Sequence, residues 1–152
     1  MKFTKSLWAL CTGFLAVALL QISCSGSGDN TEIVQLKQET MAVHDEIMPQ
    51  ISVFDRNAVK IDSILLSIDS VSLESDSLHT NQVRAELTHL KSRIENATDQ
   101  MMEWMMEFDS DPQDMTDEEI KAYYQSELEK VKNMKSLFDE VSQESADKLN
   151  QY

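Results

Sequence analysis

Four of the chain's nine methionines lie in the run Met101-Met102-Glu103-Trp104-Met105-Met106, around one of its two tryptophans. Thioethers are soft, polarizable donors, and with imidazole they make a ligand set suited to Cu(I). A second group, Met41, His44 and Met48, is spaced by three and four residues and so shares one helical face. At about 100° per residue, Met101, Trp104 and Met105 fall within or beside the apolar stripe of their helix. Met102 and Met106 fall about 100–140° from its centre, on a stripe that upstream holds Arg84, Lys91 and Glu95 and should be wet. Met41, His44 and Met48 are displaced in the same sense, by roughly 60–120°. With the two helices antiparallel about a turn near residue 75, His44 stands roughly level with residues 106–109 and Met48 with residues 102–105. The two stripes then either face each other or both face a third helix.

Three readings fit this pattern. The methionines fill a core beneath a third helix, against Ile120, Tyr123 or Tyr124; or they line an apolar groove; or Met41, His44, Met48, Met102 and Met106 converge as Cu(I) ligands, with Trp104 adding a cation–π contact. Packing is the plainest of these, and on it the chain needs no cofactor.

Enzyme chemistry has little to stand on. The sequence shows no glycine-rich phosphate loop, no serine-nucleophile elbow and no Cys or His pair at zinc spacing. His89 shares a stripe with Gln82, Glu86 and Arg93, the pattern of a solvated face, and His79 falls near an expected turn. His44-Asp45 is similar to the dipeptide of metal-dependent phosphohydrolases, but that chemistry needs further His and Asp ligands, which have no counterpart here. The expectation is a protein that is not an enzyme.

The beginning of the chain carries an address. Two lysines in Met1–Lys5 precede an apolar run over Ser6–Leu20, too short for an ordinary membrane span and patterned as a secretory signal. The run ends in Gln21-Ile22-Ser23-Cys24, which resembles a bacterial lipobox; the departure is Gln21, where leucine is usual. The resemblance implies cleavage before Cys24 and lipidation of that cysteine; the alternative is plain secretion, with cleavage near Ser23 and a free cysteine. Cys11 is then discarded, so Cys24 is the one cysteine left in an exported chain, and acylation removes an otherwise unpaired thiol. Residues 1–23 read as signal peptide, 24–30 as lipidated cysteine and flexible tether, and 31–152 as the folded domain. The lipid on Cys24 holds the protein to the membrane. The expected location is the envelope of a Gram-negative bacterium, at the outer membrane, on its periplasmic or its surface face.

Loss of Lys2 and Lys5 with the signal leaves 11 basic residues against 27 acidic ones, a net charge of −16. Nucleic acid and anionic membrane surfaces are poor partners for such a chain; a soluble acidic surface is the plain reading of the charge, and binding of a cation or a basic partner the sharper one.

All three glycines precede residue 29, and only Pro49 and Pro112 interrupt the rest of the chain, so the positioning elements are long helices. Val83, Leu87, Leu90, Ile94, Ala97, Met101, Trp104 and Phe108 alternate steps of four and three without error. Ile33 to Ile68 and Ile120 to Leu149 carry similar coiled-coil-like seams, the last less regular. Helices are expected over about 30–70, 80–108 and 117–150. Two successive four-residue steps, Ile47 to Ile51 after Val43 to Ile47, predict an inserted residue and a kink or bulge at 45–49, next to Pro49. Asp111-Pro112 marks a turn, and Thr116-Asp-Glu-Glu119 a capping box. Short connections make neighbours antiparallel, so the fold class is all-α, an up-down-up three-helix bundle.

Asp62-Ser63-Ile, Asp69-Ser70-Val and Asp76-Ser77-Leu recur seven residues apart, which places Ser63, Ser70 and Ser77 on one stripe if the first helix continues that far. They resemble the Asp-Ser/Thr-apolar sites that some bacteria O-glycosylate on exported proteins. Asn96-Ala-Thr98 matches an N-linked sequon but lies mid-helix. The lipobox-like start, Met41-Ala-Val-His-Asp-Glu-Ile-Met-Pro49 and Met101-Met-Glu-Trp-Met105 together resemble small helical lipoproteins of Gram-negative bacteria, often labelled "viral A-type inclusion protein". That resemblance spans most of the mature chain and implies no particular activity. The leading expectation is a non-enzymatic binding or scaffolding module with an acidic helical surface, and the alternative is a periplasmic Cu(I)-binding protein built around His44.

Overall fold

A computed structural model describes residues 28–71 and 77–152; the expected signal peptide, Cys24 and most of the expected tether lie outside the described residues. Three helices, α1 (Gly28–Val71), α2 (Ser77–Glu107) and α3 (Asp117–Leu149), pack against one another as a three-helix bundle. Among the described residues there is no strand, and no helix is long and apolar enough to cross a membrane.

The α2 seam is buried as its spacing requires. Leu87, Leu90, Ile94, Ala97, Met101 and Trp104 are all buried, with Val83 and Phe108 packed at the edge. In α3 the irregular stretch resolves into Tyr124, Leu128, Val131, Met134, Phe138, Val141, Ser145 and Leu149. Met134 takes the inner position there, and Lys135 beside it is only half-buried. Ser145 fills the gap left by apolar spacing; it is 1% exposed, and its Oγ has no hydrogen-bond partner.

The expected insertion near Pro49 is absent, because α1 runs unbroken through it. Thr40, Ile47, Phe54 and Ile61 are all fully buried and stay seven residues apart across the proline. A straight helix drifts by about 20° per heptad. The flanking contacts therefore pass from Leu36 and Val43, three residues beyond a stripe position, to Ile51, Ala58 and Leu65, four beyond one. That drift imitates an inserted residue in the sequence. Pro49 itself is exposed, so the Asp45 carbonyl deprived of its helical donor lies toward solvent, where water can satisfy it.

Ion pairs on either side of the buried stripe fix the neighbours. One residue before the stripe, Glu32, Glu39 and Glu46 pair with Lys121, Lys132 and Lys135 of α3, both series rising together as parallel helices demand. One residue after it, Asp62 and Asp69 pair with Lys91 and Arg84 of α2, rising on one helix and falling on the other. Arg93 completes the third interface on Glu140 and Glu144. Exposed pairs of this kind contribute about 0–1 kcal/mol each, so they choose register and orientation while the apolar seams supply stability. At the centre, Phe54 of α1 stacks on Phe138 of α3 with ring centroids 4.9 Å apart.

The connection from α2 to α3 is held from below. Tyr123 Oη accepts from the Asp109 amide at 2.7 Å, and Tyr124 Oη donates to the Ser110 carbonyl at 2.9 Å. Pro112 is buried beside them in sequence, and Asp114 takes a left-handed φ of 62°. The capping box forms as expected: the Thr116 amide donates to Glu119 Oε2 at 2.8 Å, and the Glu119 amide to Thr116 Oγ1 at 3.4 Å.

The Asp-Ser repeats acquire a structural reading. Asp62 and Asp69 are the α1 members of the ion pairs to α2, and the Ser63 and Ser70 hydroxyls donate to the carbonyls of Val59 and Ser67. Since α1 ends at Val71, Ser77 opens α2 and does not continue the stripe.

Candidate functional site

The two methionine groups do meet at one height, but through a different residue from those singled out by the pattern. His44 Nε2 lies 3.3 Å from Sδ of Met105. Its Nδ1 is 3.0 Å from Asp45 Oδ1, and the imidazole is 14% exposed. The Trp104 ring stands beside it, centroids 5.7 Å apart and planes tilted by 36°. The His44 side chain therefore reaches residues 104–105, one turn from the 106–109 expected to stand level with it.

Met102 and Met106 do not join it; their side chains are 47% and 79% exposed. The helical geometry explains the division. Arg84, Lys91, Thr98 and Met105 recur every seven residues on the flank of α2 that faces α1, and Arg84 and Lys91 reach the aspartates there. Met102 and Met106 lie farther round, toward open solvent. Long charged side chains can bridge from such a rim, whereas a methionine beyond it has nothing apolar to cover it. Met48 is half-buried and packs on the core, and Met41 is half-buried on the wall of a shallow recess with Val34, Lys37 and Asp45.

On its other side Trp104 is tied to α3. Its Nε1 donates to Glu127 Oε2 at 2.7 Å, and Lys130 Nζ donates to Glu127 Oε1 at 2.7 Å. Both Trp104 and Glu127 are buried, at 6% and 5% exposure. A buried carboxylate is tolerated when its oxygens are paired in this way. The bond also locks the indole, which continues by stacking into Phe108 at 4.7 Å and from there to Tyr123 and Tyr124. Desolvation pushes both tyrosine hydroxyls above their ordinary titration range. Glu127 escaped the sequence pattern because it sits one residue before Leu128 on the seam, where a glutamate reads as surface. A tryptophan with a buried N–H on the opposite helix was the available signal.

Comparison with protein-family models, curated proteins and solved structures finds no match for the chain. The site must be read from its own chemistry. Among the described residues, no three His, Cys, Asp or Glu side chains gather as metal ligands. The remaining arrangements are the His44–Met105–Trp104 contact and the outer surface of the same end of α2. There Met102 and Met106 are exposed among the exposed acids Asp99, Glu103 and Glu107, and the following turn adds Asp109, Asp111 and Asp114.

Proposed function

We propose that the chain is a non-enzymatic, lipid-anchored protein of a Gram-negative cell envelope whose bundle binds or scaffolds another envelope protein. The observation that carries this reading is the surface of Met102 and Met106 set among Asp99, Glu103 and Glu107. Exposed methionines adapt to apolar partners of varied shape, and the surrounding carboxylates select a basic one. The partner is accordingly a protein segment with an apolar stripe flanked by Lys or Arg. Lys91, Arg93, Lys132 and other basic residues are engaged in ion pairs within the bundle, which leaves much of the acidic surplus directed outward. A tether through acylated Cys24 would confine the bundle to the membrane surface and raise the local concentration of such a partner.

A photo-reactive residue placed at Met106, in cells that produce the full chain, should trap one defined protein. The same residue at Leu66, 70% exposed on α1, should not. The adduct at position 106 should fade with rising salt in isolated envelopes, since exposed charge contacts are screened. Equal labelling from both positions, or none from 106, counts against the docking surface. Cys24→Ser tests the anchor separately: the protein should leave the membrane fraction, and continued membrane association would refute lipidation as its cause.

A further inference from the structure

Independently of any protein partner, we infer that His44, Met105 and Met48 form a binding site for a soft monovalent cation of the Cu(I) class. Asp45 can only accept while ionised, so in the neutral imidazole the proton belongs on Nδ1 and the lone pair on Nε2. That lone pair faces Met105 Sδ at 3.3 Å. A thioether sulfur also offers only lone pairs, so two acceptors are turned toward each other. Such a contact is satisfied by an electrophile shared between them: a proton on Nε2, which makes at best a weak N–H···S bond, or a soft metal ion.

The spacing suits the metal. With bonds of about 2.0 Å to nitrogen and 2.3 Å to sulfur at a tetrahedral closed-shell ion, the two donors stand about 3.5 Å apart. His44 and Met105 are already within a few tenths of an ångström of that separation. The carboxylate on the far nitrogen is the partner that metal-bound histidines commonly have, orienting the ring and fixing its tautomer.

Register supplies the third donor. The α1–α2 interface advances by rungs seven residues apart on each helix, with Asp69 on Arg84 and Asp62 on Lys91. The next rungs match Asp55 with Thr98 and Met48 with Met105. The same step therefore sets a thioether of each helix on one rung, and Met48, one turn along α1 from His44, is packed against the core. Trp104 stands beside the imidazole, ring centroids 5.7 Å apart, and can add a cation–π contact. Met102 and Met106 have no part in it.

The test uses the full chain carrying Cys11→Ser, Cys24→Ser and Trp8→Phe, so that no thiol competes and Trp104 is the sole indole. Ag(I), and Cu(I) under reducing anaerobic conditions, are titrated against a competing chelator while Trp104 fluorescence is followed. One equivalent should bind saturably and change the emission. His44→Ala, Met105→Leu and Met48→Leu should each weaken binding by about 10–100-fold or more, since loss of even an outer-shell partner has that effect. Met102→Leu and Met106→Leu should leave it unchanged. The leucine variants conserve volume, and their circular dichroism separates ligand loss from unfolding. Absence of saturable binding, or a loss in Met106→Leu as large as in Met105→Leu, overturns the assignment.

Discussion

The bond from Trp104 to Glu127 should be the most consequential polar contact in the bundle. The indole N–H donates at 2.7 Å to a carboxylate that is 5% exposed, and the tryptophan is 6% exposed. A hydrogen bond to a charged group contributes about 1.5–3 kcal/mol net. Trp104→Phe removes the donor and leaves Glu127 with Lys130 as its remaining partner, and the smaller ring forfeits roughly 1 kcal/mol more of apolar burial. The expected loss is therefore about 2.5–4 kcal/mol. Glu127→Leu keeps an apolar side chain at the site but strands the indole N–H, at about 1–3 kcal/mol. The double variant leaves neither group unpaired, so it should cost less than the two single losses together, by about 1.5–3 kcal/mol. Urea unfolding followed by circular dichroism reads all four proteins without relying on the tryptophan. With a slope of about 2 kcal/mol per molar, Trp104→Phe should lower the midpoint by about 1.2–2 M. Additive losses would refute the reasoning, since they would mean that the donor and the carboxylate do not depend on each other.

Two further expectations concern the backbone and the tyrosines under the α2–α3 turn. Proline in a helix interior is about 3 kcal/mol less favourable than alanine, and Pro49 is exposed, so Pro49→Ala should raise the thermal midpoint. A lowered midpoint would show that packing around Met48 requires the proline. Burial holds the Tyr123 and Tyr124 hydroxyls above the ordinary value of 10.0. A folded-state value raised above the unfolded one gives stability that is fully present below about pH 10 and is lost as pH rises through the higher folded values. Alkaline unfolding should thus begin with tyrosinate formation at this end, and Tyr123→Phe should blunt it. An unfolding curve unaltered by that substitution would separate the hydroxyl from alkaline stability.

How much of this was legible in the sequence depends on which period was followed. The buried seam of α2 alternates four and three with no polar residue inside it, so its inner face and the bundle could be read directly. The α1 seam carries the same information, but its drift past Pro49 looked like an insertion, because a list of apolar residues does not say which lie on the centre line. Thr40 settles that: it is polar, fully buried, and keeps the seven-residue step to Ile47. The chemistry was less legible for a related reason. Displacement from a seam shows that a methionine is unusual but not which neighbour it faces, and exposure of Met102 and Met106 was as compatible with the pattern as convergence. The informative signal was the matched pair of seven-residue series, Asp69, Asp62, Asp55 and Met48 against Arg84, Lys91, Thr98 and Met105. Complementary charges on the first two rungs identify the facing flanks, and the same step then names Met105 as the residue that meets the His44 side of α1. Buried polar partners such as Glu127 remain the hardest to see, since a single glutamate on a seam edge has the same pattern whether its carboxylate turns to water or to an indole.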